Sequence, residues 1–514
     1  MELIKKYFFH RSIFLVIAIL IQLLVLIGVI LRFYNYFIYF YGINMVISIV
    51  AVLIILNNDM NLVYKVAWII PVLLFPIFGI VFYMLFGGKK LGKRPKKEMQ
   101  SISKKTRELL NSHNSIIKKM ELENKNAANQ SKYIQNYASY PPYLNEVAEY
   151  FIGGEKKFER LKEELKKAEK FIFLEYFIIE EGEMWNSILE ILKMKIAEGV
   201  EVRIIYDDFG CLLKLPYKYN NKLEKLGIKT AVFNPLNPVL SSKHNNRDHR
   251  KIAIIDGHTA FTGGINLADE YINLINKFGH WKDSAIMIKG KAVWSMTVMF
   301  LSMWHHLKGN KENFKKYKYN PEISHISQKK PDGYIQPFGD SPLDNEAVSE
   351  IVYLNMINKA KDYIYITTPY LIIDSKMVTA LTSAAKAGVD VRIITPHKPD
   401  KWYVHLVTRS YYKELINNGV KIYEYTPGFI HSKIFISDDK YGVIGTINMD
   451  YRSLYLHFEC GVWLYDCNII GEMKKDFLNI LQVSKEITKE NYSVENKKFK
   501  ALAGSVLRVF APLM

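Results

Sequence analysis

"HRKIAIID" occupies His249–Asp256 and "HSKIFISD" occupies His431–Asp438. The spacing His-x-Lys-x-x-x-x-Asp is thus written twice in a chain of 514 residues, and the copies continue alike: a Gly stands fourteen residues after each His (Gly263, Gly445) and an Asn seventeen after it (Asn266, Asn448). One such octamer is weak evidence; two with matched downstream spacing mark an internal repeat. Each octamer reads as a strand, and alternation puts His249 and Lys251 on one face, as it does His431 and Lys433. Asp256 ends its strand in the hairpin signal "IDG". Asp256 and Asp438 are therefore candidates both for turn carboxylates and for catalysis. "TGGIN" and "GTIN" read as return strands, where Gly263 and Gly445 leave room near a site and the Asn266 and Asn448 amides offer donors.

The surroundings of the octamers repeat as well. "AEKFIFLEYFII" (Ala168–Ile179) reads as a strand, "WNSILEILKMKIAEG" as a helix and "VEVRIIYDD" (Val200–Asp208) as the next strand. "AKDYIYITTPYLII" (Ala360–Ile373), "KMVTALTSAAKAG" and "VDVRIITPH" (Val389–His397) give the same order again. Strand, helix, Gly turn and strand make a βαβ unit, with a parallel pair and a right-handed crossover. The fold class expected is α/β, built from two homologous halves related by a pseudo-twofold, with both motifs facing one site.

Displacement at a phosphodiester suits such a site. Lys251 and Lys433 supply fixed positive charge for the non-bridging oxygens, which stabilises the transition state without a metal. One imidazole can attack phosphorus and the other can move the proton of the alcohol. A metal centre is disfavoured, because an ammonium beside each His repels a cation and no His-Glu-x-x-His occurs. His305 and His306 in "MWHHLKG" read as structural.

Hydrophobic residues make up 49% of the chain and the net charge is +18, which calls for an anionic partner: phospholipid, nucleic acid or a phosphorylated small molecule. Three cysteines (Cys211, Cys460, Cys467) without a Cys-x-x-Cys pair indicate neither a disulfide framework nor a zinc finger and fit a reducing compartment. Three uncharged apolar runs, 13–31, 36–56 and 66–86, each come close to the ~20 residues that span a bilayer. "GGKKLGKRPKK" (Gly87–Lys97) follows the third run and places what comes after it in the cytoplasm by the positive-inside rule, whereas Lys5, Lys6 and Arg11 argue for an N-terminus on the same side. The expected organisation is a transmembrane region of two to three spans (1–88), a basic linker (89–138) that is a solvated linker or helix or a surface helix held against anionic headgroups, a first half (139–335) and a second half (336–514).

Paired motifs with downstream Gly and Asn resemble the phospholipase D superfamily and, within it, bacterial cardiolipin synthases. "YDDFG", "NNRDHRKIAIIDG", "GGINLADEY" and "HWKDSAI" resemble the family's first half. "TPYLIID", "RSYYKELINNGVKIYEY", "GFIHSKIFISDD" and "GTINMDYRSLYLHFE" resemble its second. The apolar segment before Lys89 and the terminal "VLRVFAPLM" resemble its ends. The resemblance implies a cell-membrane, multi-pass phosphatidyltransferase with its catalytic domain on the cytoplasmic side. It would join two phosphatidylglycerol molecules into cardiolipin and glycerol with no cofactor and no metal. It further implies His249 as nucleophile, His431 as acid and base, Lys251 and Lys433 as phosphate ligands, and Asp283 and Glu459 as the carboxylates that orient the imidazoles. Its partners would be phosphatidylglycerol and cardiolipin rather than nucleic acid, with self-association left open. A hydrolase or another phosphatidyltransferase of the same superfamily, and a membrane-anchored nuclease, are the alternatives. Two positions depart from the family pattern: Cys211, where Ser is expected, and His457, where Asn is common.

Overall fold

Two sheets of matching topology carry the fold. The computed structural model describes residues 37–58, 61–87, 114–236, 245–309, 312–319, 332–344, 346–495 and 498–511, with scattered positions between 20 and 32 and between 104 and 110. The first half contains β1 (Val147–Ile152), β2 (Phe171–Tyr176), β3 (Glu201–Asp207), β4 (Lys229–Phe233), β5 (Lys251–Ile255), β6 (Thr259–Gly263) and β7 (Ser284–Lys289), laid out as β1-β7-β6-β5-β2-β3-β4. The second contains β8 (Tyr334–Asp340), β9 (Tyr363–Thr367), β10 (Asp390–Pro396), β11 (Lys421–Tyr425), β12 (Ile434–Ser437), β13 (Tyr441–Gly445), β14 (His457–Tyr465) and β15 (Ser484–Ile487), laid out as β8-β14-β13-β12-β9-β10-β11-β15. Strands β2, β3 and β4 run parallel, as do β9, β10 and β11, and each motif strand pairs antiparallel to the first of its trio. The expected repeat is therefore a repeat of whole sheets, and both predicted βαβ units are present, with Glu183–Ala197 and Ser375–Lys386 as their crossover helices.

Sheets covered on both faces need continuously apolar strands. β2 ("FIFLEY") and β9 ("YIYIT") are buried at every position. The helix Val293–Lys308 fills the inner side, with Phe300 stacked on Phe173 at 4.7 Å.

The octamers end in hairpins whose first two turn residues both have positive φ: Asp256 (51°) and Gly257 (69°), then Asp438 (54°) and Asp439 (54°). Three residues separate the paired ends Ile255 and Thr259, and likewise Ser437 and Tyr441, and the positive φ values turn the chain tightly between them. The Asp256 carboxylate accepts the N–H groups of Glu169, Lys170 and Phe171, each at 2.8 Å. Asp438 does the same for Lys361, Asp362 and Tyr363 at 2.9–3.0 Å. Seven residues of strand put these carboxylates roughly 20 Å from their histidines. The catalytic candidacy of Asp256 and Asp438 is corrected accordingly: both clamp the hairpin to the start of the neighbouring strand.

The halves interlock. Arg247–Asp248 pairs parallel with His457–Phe458, and His280–Lys282 pairs parallel with Gly428–Ile430, so each half adds a short strand beside the other's. Tyr143–Leu144 extends the second sheet by pairing with β8. Tyr150 and Lys282 both bond Asp476 across the boundary.

Two expectations for the N-terminal third are revised. From 114 onward the segment read as a basic linker forms helices Ser115–Glu123 and Lys125–Tyr133, in keeping with the helical reading, but one face of them is buried rather than solvated or free for headgroups. Ile117, Met120, Ala127 and Ala128 are buried in the main core, and Tyr133 donates to Glu346. The apolar run 66–86 is not one rod. It breaks into helices Leu62–Leu74 and Pro76–Phe82 around Phe75 (φ −135°, ψ 75°), a residue that Pro76 drives out of the helical region. The second piece packs back on the first: a Cβ at Gly79 would lie 2.4 Å from the Pro71 carbonyl oxygen. The helix Phe37–Leu56 carries no charge, and its side chains are described from Gly42 on. Among the described residues no helix is long and apolar enough to cross a membrane. The run 13–31 lies largely, and the cluster Lys89–Lys97 wholly, outside the described residues. Asn61 docks this helical unit on the second half, donating to Asp374 at 3.0 Å and to the Tyr455 hydroxyl at 3.3 Å.

Candidate active site

Each motif histidine is held by a carboxylate from the opposite half. His249 Nδ1 donates to Glu459, 2.9 Å from Oε1 and 3.1 Å from Oε2. His431 Nδ1 donates to Asp283 Oδ2 at 2.7 Å. The interlocking short strands cause the exchange. His249 N–H bonds the Phe458 carbonyl at 3.0 Å, next to Glu459, and His431 N–H bonds the Lys282 carbonyl at 2.7 Å, next to Asp283. A carboxylate on Nδ1 fixes the tautomer and leaves Nε2 as the nucleophilic or basic nitrogen. The two motifs, Asp283 and Glu459 are thus brought together, while Asp256 and Asp438 are not.

Gly263 and Gly445 serve this arrangement in a way the spacing did not reveal. A Cβ at Gly263 would sit 2.4 Å from the Ser284 carbonyl oxygen, and one at Gly445 would sit 2.3 Å from that of Cys460. Their bareness lets the strands carrying Asp283 and Glu459 close in. Asn266 spends its carbonyl on the Ile178 N–H (3.0 Å) and an amide N–H on the Tyr271 hydroxyl (2.8 Å). It positions Tyr271, whose ring lies edge-on to His431 at 5.7 Å. Asn448 is buried on the other side, beside Asp450.

The site is nearly closed: His249 is 7% exposed, His431 6%, Lys251 1% and Lys433 2%. Burial, reinforced by Lys251 and Lys433, holds His249 well below the usual histidine range, and burial together with Lys433 brings His431 down to about 4. Burial also lowers Lys251 to about 8 and Lys433 to about 7. Asp283 stays below the usual carboxylate range: burial works against this, but His431 and Lys433 outweigh it. Each ammonium donates to its own motif's histidine carbonyl, Lys251 to His249 and Lys433 to His431. An ammonium has three N–H groups, so donors remain for a phosphate. The resting site holds neutral imidazoles, two depressed lysines and two bound carboxylates, an arrangement that an incoming phosphodiester anion completes.

Several residues here were not singled out as site residues by the motif spacing. Phe177 lies edge-on to His249 at 5.1 Å and under Lys251 at 5.4 Å. Trp281 and Phe429 lie 5.2 and 6.0 Å from His431. Thr446 Oγ1 donates to Glu459, and Ser284 and Ser432 meet across the boundary at 2.6 Å. Only a repeat-to-repeat alignment of the strands preceding Asp283 and Glu459 could have pointed to Trp281. Cys211, the first departure noted above, is buried beneath the Phe177 loop and accepts the Ile179 N–H at 3.3 Å. His457, the second, lies 5.5 Å from His249 ring to ring. Among the described residues, His249, His457 and Glu459 are the grouping whose ligand atoms converge within 4.8 Å. The Arg452 guanidinium on His457 and the ammonium of Lys251 disfavour a cation there.

Residues 161–304 and 353–481 match the family described as cardiolipin synthase, PLD-like domain, one match over each half, and residues 46–88 match the phospholipase D-nuclease N-terminal family. The chain belongs to the cardiolipin synthase family of phospholipase D-like proteins. A cardiolipin synthase of Halalkalibacterium halodurans is 32% identical over 92% of this chain and 93% of its own length. One from Geobacillus kaustophilus is 34% identical over 87% and 88%. An uncharacterized protein of Streptococcus mutans is 44% identical over 90% and 99%. Among solved structures, phosphatidylserine synthase of Haemophilus influenzae aligns over 74% of this chain and all of its own, with a TM-score of 0.55 at 14% identity, a likeness of fold. Family membership accounts for both the repeated sheets and the paired motifs.

Proposed function

We propose that the protein is a cardiolipin synthase that transfers a phosphatidyl group between two phosphatidylglycerol molecules. The observation that carries the reading is the pair of buried His–carboxylate dyads, built crosswise, with a lysine beside each. His249 Nε2 attacks phosphorus while Glu459 holds its Nδ1–H and steadies the charge that develops on the ring. As lipid binds, its phosphate anion offsets the charge of Lys433 and Lys251 and His431 takes up a proton at Nε2; the bond from phosphorus to the glycerol oxygen then breaks, and His431 gives that oxygen this proton. The second lipid's glycerol hydroxyl then loses its proton to His431 and attacks the phosphohistidine, which releases cardiolipin and restores both imidazoles for the next cycle. Lys251 and Lys433 hold the non-bridging oxygens throughout. The enclosure of both histidines favours transfer over hydrolysis, because water is kept from the intermediate.

The names of the relatives and the match over residues 46–88 support a membrane enzyme. The helical unit fits a partial anchor, with Ile43, Val46, Leu53 and Leu74 exposed. Lys89, Lys90, Lys93, Arg94, Lys96 and Lys97 support the cytoplasmic side for the catalytic halves. Purified protein in detergent micelles, given phosphatidylglycerol alone and read by mass spectrometry, should produce cardiolipin and glycerol. Phosphatidic acid as the sole lipid product would make it a hydrolase instead.

A further inference from the structure

The repeat places one further ring against each dyad. Two residues before Asp283 stands Trp281, and two before Glu459 stands His457. Trp281 packs on His431 with ring centroids 5.2 Å apart, and its indole N–H points at Asp283 Oδ2 from 3.4 Å. His457 packs on His249 at 5.5 Å, and its Nδ1 faces Glu459 Oε1 from 3.7 Å. These rings therefore occupy one role in the pseudo-twofold, although their chemistry differs: an indole never gains a proton, whereas an imidazole can.

The neighbours of His457 remove that difference. Arg452 Nε donates to His457 Nε2 at 3.2 Å, and a guanidinium has only donors to offer. Nε2 must then be the unprotonated nitrogen, so the ring proton sits on Nδ1, toward Glu459. That Nδ1 is buried and has no hydrogen-bond partner in the resting site. The charged and titratable groups facing the ring are Glu459 on its own strand, Arg452 on the preceding helix, and His249 and Arg247 on the facing segment. Glu459 already receives His249 Nδ1 and Thr446 Oγ1.

We propose that His457 is a positioning residue: a neutral second N–H donor for Glu459, locked in one tautomer by Arg452, as Trp281 is for Asp283. It acts through Glu459 on His249 and does not itself touch the reacting atoms. From 3.7 Å at rest it closes on Glu459 as His249 becomes covalently loaded, a third donor beside His249 and Thr446 that tempers the charge on the carboxylate and keeps it aligned. Without that donor Glu459 would pull harder on a protonated His249, and His249 would keep its proton to higher pH. The catalytic consequence rests on the phosphatidyl-transfer reading; the tautomer does not.

Two measurements test this. In the full-length protein carrying 15N-histidine, the His457 resonances, assigned by their disappearance in H457N, should show protonated Nδ1 and bare Nε2 at neutral pH without any substrate. A protonated Nε2 overturns the proposal whatever the protein's substrate. With phosphatidylglycerol in micelles, H457L should lose roughly tenfold in kcat with KM little changed, and the acid limb of its kcat/KM profile should move to higher pH. H457N, whose amide N–H stands where Nδ1–H stood, should recover most of the rate and the limb. Equal profiles for H457L and wild type, or no recovery in H457N, would refute it. If H457L does not fold, H457S against H457N makes the same comparison. Absence of cardiolipin from the wild type would instead defeat the functional reading and leave the tautomer measurement to decide this one.

Discussion

His249 and His431 hold the same kind of partner in opposite halves, yet their removal should stall the reaction at different points. H431A retains the nucleophile and should trap phosphatidyl-histidine from labelled lipid, while H249A should trap none; label found on His431 in H249A would reverse the roles. The carboxylates have a sharper signature. E459Q or D283N keeps the shape but puts the amide against Nδ1 and favours the wrong tautomer, so kcat should fall roughly 10²- to 10⁴-fold with folding intact. The lysines govern the alkaline side. Lys433 and Lys251, lowered to about 7 and about 8 by burial, are charged below those values and lose the charge as pH rises through them. KM for the anionic lipid should therefore climb between pH 7 and pH 9, with little change in kcat for lipid that does bind. A KM flat across that range would show that phosphate binding does not depend on those charges.

At the scale of elements, the hairpin that ends each motif strand is separable from the chemistry. D256N forfeits part of a carboxylate clamp on three backbone N–H groups, at a cost of about 1–2 kcal/mol in stability, with kcat preserved. A large loss of kcat in folded D256N would restore its catalytic candidacy. Much of this level was legible in the sequence. The βαβ order and the "IDG" turn follow from local spacing and appear in the sheets, whereas the motif strands begin only at Lys251 and Ile434, so that His249, His431 and Lys433 precede them. What was not legible depends on contacts distant along the chain. Glu459 lies 210 residues from the histidine it holds, and Asp283 lies 148 residues from His431. No periodicity reports that both dyads form across the halves. Hydropathy counts apolar residues over 66–86 and is blind to Pro71, Phe75 and Pro76 breaking the run. Composition likewise allowed a solvated linker or a surface helix over 89–138, and gave no sign that Ile117, Met120 and Ala127, at helical spacing, are buried.

For the molecule as a whole, the crosswise dyads make the site a property of both halves at once, and the interlock determines which chain supplies them. The short strands Arg247–Asp248 and His280–Lys282, the Lys282–Asp476 pair and the Tyr143–Leu144 extension of the second sheet all join the halves within one chain. Lys282 and Asp476 are both buried, and parting a buried ion pair leaves uncompensated charge at a cost of roughly 3–5 kcal/mol. Exchanging halves between two folded chains would have to part all of these contacts together. Co-purified or mixed H249A and H431A chains should therefore stay inactive, even if the protein self-associates, because no chain in the mixture holds both imidazoles. Only an exchanged pair could unite the intact first half of H431A with the intact second half of H249A. Cardiolipin formation by the mixture, dependent on protein concentration and absent from either variant alone, would show that the halves trade partners and that the working site is assembled between chains.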